Sequence, residues 1–425
     1  MAHVKRRLPA QPHLDVPKRQ ARELLAAWRA RSAGAFDRIR AAHPAYRGVD
    51  AAALAAARFR LADAQLVVAR EYSFASWAQL KQRIAGDPRS AELERALHDG
   101  DAARVVELLR EHPALLDLPV RNRNWGPPMS FAANLGRLDL IEAIAALGAR
   151  DHQHAFERAL LRGHIDCVRW LCAHGATPTP DAIFGPCETL DPDGLRFLVE
   201  ANVPIADRPG DRFAPLAMVL QTYSRAPANK REVMAILVAQ GYALPDTPIM
   251  ALHRGRADLL DALLRRDPTL VHRRFSYREI YPPELGCADD GRSGLHGTPV
   301  DGTTLLHLAI DFDEQAIFGL LLDRGADVNA RAAIDRDGSG GHTPLFHTVV
   351  SAAYLCGLQR DAAMAATLIA RGASPTIRAT LRKFLDWREA PGWHEARDVT
   401  PAEWGTSFPE PSWVNPEALR LLGGR

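Results

Sequence analysis

The stretch from Cys287 through Asp289 and Asp290 to His296, with Asp301 and His307 after it, gathers thiol, carboxylate and imidazole groups in one segment. These residue types ligate metals and move protons. Metal sites also need fixed spacings, and none is recognisable here, so a solvated loop is the competing reading. Asp335-Arg336-Asp337-Gly338-Ser339-Gly340 superficially has the form of a calcium loop. Aligning Gly338 with the loop glycine puts Ala333 at the first ligand position and Pro344 at the last, and neither supplies a carboxylate. A finger-like turn is expected there instead. The chain contains no GxSxG, no HExxH, no GxxxxGK[ST] and no strand-linked GxGxxG. Cys167 and Cys172 lie in a helical stretch, where a small buried hydrophobe is the ordinary role of cysteine.

What remains is surface recognition. Trp, Tyr and Arg dominate protein interfaces, and they cluster in three connecting segments. Arg121-Asn122-Arg123-Asn124-Trp125 is the first. Arg273, Arg274, Phe275, Tyr277, Arg278 and Tyr281 form a larger one, and Arg382, Trp387 and Trp393 a third. Each aromatic has two readings: an exposed anchor for a partner, or a side chain folded back onto its own scaffold.

The elements that hold these segments are helices. Lys18 to Arg40 predicts an amphipathic helix, and Ala51 to Arg70 a second. Ser76 to Gln79 has capping-box spacing and starts a third through Leu80. Gly86-Asp87-Pro88 marks a linker. Beyond it an apolar triad at i, i+3, i+4 recurs, each time followed by a helix stop. Val105, Leu108 and Leu109 precede His112; Ile141, Ile144 and Ala145 precede Gly148; Val168, Leu171 and Cys172 precede Gly175; Leu195, Leu198 and Val199 precede Asn202. Met234, Leu237 and Val238 precede Gly241; Leu260, Leu263 and Leu264 precede Asp267; Phe318, Leu321 and Leu322 precede Gly325; Ala365, Leu368 and Ile369 precede Gly372. Earlier glycines at 100, 136, 163 and 255 mark a tight turn inside the unit. A helix pair of this size cannot bury its own apolar face, but stacking against neighbours can. The stops are unevenly spaced, so the variation sits in the connections, longest over 273–301, 331–341 and 376–398.

The 425 residues carry 53 basic and 51 acidic side chains, a formal charge of +2, which argues against a concentrated basic face for nucleic acid. Five scattered cysteines without a CxxC pair fit a reducing compartment, and neither a secretory leader nor a membrane-spanning run is legible.

Several of these segments resemble ankyrin repeats. Gly302-Thr303-Thr304-Leu305-Leu306-His307-Leu308-Ala309 follows the family opening, with Leu305 where proline is usual. Gly341-His342-Thr343-Pro344-Leu345 matches again, with Phe346 at the family histidine position. Leu320 to Ala330, through Gly325, matches the second helix and exit turn; Gly163-His164-Ile165-Asp166 matches the inter-helix turn. The segment Phe59 to Glu71, with Phe74, Ser76 and Trp77, is similar to a stretch found ahead of ankyrin repeats in bacterial proteins. The tail around Thr400 to Trp404 and Asn415 to Leu419 resembles a truncated closing repeat, Asn415 capping a helix that opens on Pro416.

The resemblance implies an all-α ankyrin-repeat solenoid of stacked helix pairs. It would comprise an N-terminal helical segment over 1–87 and an array over 91–425 of about eight or nine units. Gly163, His164, Thr304, His307, Gly325, Thr343, Pro344 and Gly372 would be structural motif residues, with the threonine and histidine bonding within and between repeats. The implied job is a protein-interaction scaffold: a cytoplasmic monomer without cofactor, metal or catalysis. Its contact residues would be Arg121, Arg123, Trp125, Arg273, Arg274, Phe275, Tyr277, Arg278, Tyr281, Trp387 and Trp393. Two alternatives stand beside it: an enzyme or metal-binding protein built on the 273–301 insertion, and a nucleic-acid-binding regulator using Arg273, Arg274 and Arg278.

Overall fold

The computed structural model describes residues 14–85, 88–121, 124–205, 214–288, 296–385 and 392–423. Two compact units result: the residues up to Arg158 together with Ala173–Gly175, and Ala159–Cys172 together with Ala176 onward.

The first unit opens with five helices, α1 (Asp15–Arg29), α2 (Ala33–Ala42), α3 (Ala51–Ala56), α4 (Leu61–Glu71) and α5 (Trp77–Ala85). The single helix expected over Lys18–Arg40 is broken at Arg31, whose φ is +56°. The one expected over Ala51–Arg70 is split at 57–60. Leu24, Ile39, Leu54, Val67, Val68 and Leu80 meet in a common core. Arg38 grips the buried Glu71 through two bonds of 2.7 and 2.9 Å. Helix pairs follow, with Ala102–Glu111 packed on Leu138–Ala146 and Pro88–Asp99 on Pro128–Asn134.

In the second unit the helices form two rows. Pro248–His253, Leu305–Asp311, Pro344–Val349 and Pro401–Ser407 pack in succession, and Ala257–Arg266 packs on Gln315–Asp323. All eight apolar triads fall on helices, and at least one member of each is fully buried. Five glycine stops and Asn202 take the left-handed conformation, as a helix ending at such a residue requires. His112 and Asp267 do not (φ −132° and −138°). Each is followed by proline, which ends the α-helix and opens a 3-10 turn. The closing pair is present: Thr400 and Glu403 form a capping box, and Asn415 accepts from the amides of Glu417 and Ala418.

Two small antiparallel sheets interrupt this all-α repeat fold. β1 (Arg274–Phe275) pairs with β2 (Thr303–Thr304), and β3 (Ala379–Leu385) pairs with β4 (Gly392–Val399). The third aromatic segment is thus a β-hairpin and not an irregular finger. Ala379, Leu381, Lys383 and Leu385 alternate inward along β3, a period-2 pattern that fits a strand.

Candidate protein-binding surface and the buried network beneath it

The repeat motif is built as its residue types demand. Thr304 caps the helix Leu305–Asp311, and its hydroxyl lies 2.9 Å from Nδ1 of His307. Nδ1 therefore accepts, leaving Nε2–H to donate to the backbone oxygen of His342 at 3.2 Å in the next unit. Burial keeps His307 well below the ordinary histidine range, hence neutral. In the following unit Phe346 replaces the histidine, and the buried Thr343 hydroxyl has no partner among the described residues. Pro344 opens that helix. Gly163, Gly325 and Gly372 make left-handed turns, and the amide of His164 closes onto Ala159 at 3.0 Å.

The chemistry-bearing insertion turns inward. Among the described residues no three His, Cys, Asp or Glu side chains converge to hold a metal, and Asp289 and Asp290 lie outside those residues. His296 is buried, with Nδ1 at 2.9 Å from Asp311 Oδ2 and Nε2 at 2.6 Å from the Tyr281 hydroxyl. Its charge and tautomer follow: Nδ1–H donates to the carboxylate and Nε2 accepts from the phenol. Burial pushes His296 down to about 4. Burial opposes charge on Asp311 too, but His296 and the Arg225 guanidinium outweigh it and hold the carboxyl well below its ordinary range. Arg225 donates to Asp311 Oδ2 at 2.9 Å and to the backbone oxygens of Asp311 and Thr222, and lies 4.6 Å over the Phe312 ring. Lys230 shares that ring at 4.6 Å and donates to His253 Nδ1 at 2.9 Å. These groups bond chain to chain, and each is almost wholly buried. Cys287, whose thiol burial pushes up to about 12, is likewise a core residue.

Of the expected contact residues, Phe275, Tyr277 and Tyr281 are buried and cannot be finger-tip anchors. Phe275 sits in β1 under Arg273, and Tyr281 packs between the tilted rings of Tyr277 and His296. The physical reason is the long insertion itself, which has enough apolar surface to dock on the repeats. Arg273 pairs with Glu279, and Arg274 and Arg278 are exposed. Trp125 is half-buried on Phe131 at 5.2 Å, with Arg121 at 5.3 Å from its ring. Arg123 and Trp387, like Asn122, lie outside the described residues. Trp393 stands out at 49% exposure, with Arg382 at 4.2 Å over its ring.

Sequence reasoning missed what aligns these segments. Arg274 donates to the backbone oxygen of Arg331 at 2.7 Å, Arg331 to that of Arg378 at 2.8 Å, and Arg378 to that of Asp398 at 2.7 Å. Each arginine reaches forward one unit. Arg331 and Arg378 stand at the same offset from their stop glycines, Gly325 and Gly372, which is the signal that identifies them. Between the 332–341 finger and the hairpin lies a cleft of about 560 Å³. Ile334, 62% exposed, stands on one wall and Trp393 and Phe384 on the other; His296 and Lys383 also line it.

Among known proteins, the family model described as Ankyrin repeat matches residues 301–333. No curated protein matches. Among solved structures the chain is similar to the human ASB11 ankyrin repeat domain, at 18% identity and a TM-score of 0.23, over 70% of this chain and 98% of that one. With the family motif matched at 301–333 and Thr304, His307 and His342 joined by bonds from one unit to the next, this chain contains an ankyrin repeat.

Proposed function

We propose that the chain is a non-catalytic protein-interaction scaffold whose second unit meets its partner along the row of fingers at 274, 331 and 378. The observation that carries this reading is the cleft with Ile334 and Trp393 on opposing walls. Exposed large apolar side chains beside arginines are the composition of an interface centre. The arginine-to-carbonyl bonds fix the finger bases before any partner arrives, so little ordering entropy is lost on association. The first candidate segment, with Arg121 and Trp125, belongs to the other unit and is a separate contact.

Tyr281 and His296 of the 273–301 insertion are engaged in holding the fold, and the scaffold reading accounts for them without a reaction. A reducing compartment such as the cytoplasm suits five cysteines of which none is in a disulfide. Among the described residues no helix is long and apolar enough to cross a membrane.

The test is comparative capture from extract of the native cell, followed by mass spectrometry. Ile334→Ser with Trp393→Ala should lose a protein that the unaltered chain retains, while the far-ultraviolet circular dichroism stays the same. An identical capture profile from both chains would sink the assignment of this cleft.

A further inference from the structure

The N-terminal helices carry no repeat motif, yet three cations of α1 and α5 converge on one groove of their surface. Lys18, half-buried, and Arg22, exposed, sit one turn apart on α1. Lys81 projects from α5, one turn beyond Trp77. These three cations line a groove of about 370 Å³ formed by α1, α4 and α5, and among the described residues no carboxylate lines it. Lys18 touches Asp15 at 3.1 Å, an exposed pair of little strength. Neither Arg22 nor Lys81 has a carboxylate partner among the described residues. Like charges one turn apart on a helix repel, and no buried contact of the unit requires them there. Asp15 answers Lys18 alone, so the convergence of Arg22 and Lys81 on one groove favours a further negative charge there.

We propose that this groove binds an acidic, extended segment of a protein partner, distinct from the finger surface of the second unit. The rest of the lining supplies the partner's apolar contact: Leu14, Leu61 at 39% exposure and the half-buried Trp77, with the Gln65 amide between them. The groove takes the carboxylates of Asp and Glu side chains flanking one aliphatic or aromatic residue. Flexible ammonium groups act as point charges and follow carboxylates spaced along a strand. A bound phosphate would draw on the positive end of a helix, but the start of α5 is engaged within the chain. Ser76 Oγ accepts from the amide of Gln79 at 3.2 Å, and Gln79 Oε1 accepts from the amide of Ala75 at 3.1 Å.

The test is fluorescence anisotropy of the full chain with a labelled synthetic peptide of Glu and Asp around a central Leu. Vesicles containing phosphatidylserine serve as a second probe. Saturable peptide binding is expected, weakening as salt rises. Arg22→Glu with Lys81→Glu should weaken it by about tenfold or more, and Trp393→Ala should leave it unchanged. Both substituted groups are exposed, and circular dichroism checks that the fold persists. Three results overturn the proposal: no saturable binding at low salt, equal binding by the charge-reversed chain, or capture by vesicles without the peptide. Each leaves the finger cleft of the second unit untouched, because that assignment is read from a different variant and a different assay.

Discussion

Arg225 and Asp311 form an ion pair at 2.9 Å with 2% and 0% of their side chains exposed. Around it meet the connection after the helix Pro215–Gln221, the helix Leu305–Asp311 and, through His296, the long insertion. Even Cys356 joins, its sulfur accepting from the amide of Arg225 at 3.2 Å. Removing one partner of a buried pair strands a charge in the core. Arg225→Ala is expected to lower stability by about 3–5 kcal/mol, while the paired change Arg225→Met, Asp311→Leu recovers most of that loss. Urea melts of the three chains decide it. A double variant no more stable than the single would show that the network acts through something other than charge compensation.

Lys230 gives the fold a pH dependence. Burial, aided by Arg225, lowers its ammonium from 10.5 to about 7. Between those two values the unfolded chain holds a proton that the folded chain has released. Stability should therefore rise with pH through this window, by up to about 1.4 kcal/mol per pH unit. The cost is fully present below about 7 and is relieved as pH climbs towards 10.5. Cys287 and Tyr281, both raised by burial, act in the opposite sense once thiols and phenols ionise in the unfolded chain. The comparison is best made from pH 7 to about 9. Lys230→Met should be more stable than the unaltered chain at pH 7, with the gap narrowing by pH 9. A gap that stays constant would mean that Lys230 keeps its charge inside the fold.

Two threonines in equivalent motif positions should respond differently to the same change. Thr304 bonds His307, whereas the Thr343 hydroxyl is buried without a partner among the described residues. Thr304→Val leaves His307 Nδ1 only the longer bond from the backbone amide of residue 304, at 3.3 Å, and should cost about 1 kcal/mol. Thr343→Val removes a hydroxyl that gains nothing from burial, and should be neutral or stabilising. Thermal melts of the two variants settle the matter; equal losses would mean that the capping position, and not the histidine, carries the effect.

The repeat framework was legible because it is local. An i, i+3, i+4 triad and a residue tolerant of positive φ fix a helix and its end within about a dozen residues. The Thr304–His307 bond was legible for the same reason, since its partners are one helical turn apart. The buried network was not. Arg225 lies 86 residues from Asp311 and 71 from His296, and no periodicity joins them. His296 was singled out for its chemistry, but its role depends on Tyr281 and Asp311, which only the docked insertion brings together. The signal for the hairpin at 379–399 is the alternation along β3, which the tryptophans of this segment do not carry. The aromatic residues of the insertion were read with both outcomes open, and burial decided for the inward one at Phe275, Tyr277 and Tyr281.

The finger that walls the cleft depends on Gly340. Its amide donates to the oxygen of Thr380 at 2.6 Å, joining the finger to β3, and Ile334 pairs with it across the turn. Its φ of +119° lies where side-chain-bearing residues are rarely found, and a Cβ there would run into the Ala333 carbonyl oxygen. Gly338, at +80°, has open space where its Cβ would be. Gly338→Ala should therefore cost only about 1 kcal/mol, the strain of a left-handed residue. Gly340→Ala must move backbone, and should cost more than twice as much while releasing the finger from β3. Hydrogen exchange of the amide at position 340 reads this directly: it should stay protected with Gly338→Ala and exchange freely with Gly340→Ala. If protection is the same in both, the bond to Thr380 does not hold the wall of the cleft, and the case for Ile334 and Trp393 as fixed contacts falls with it.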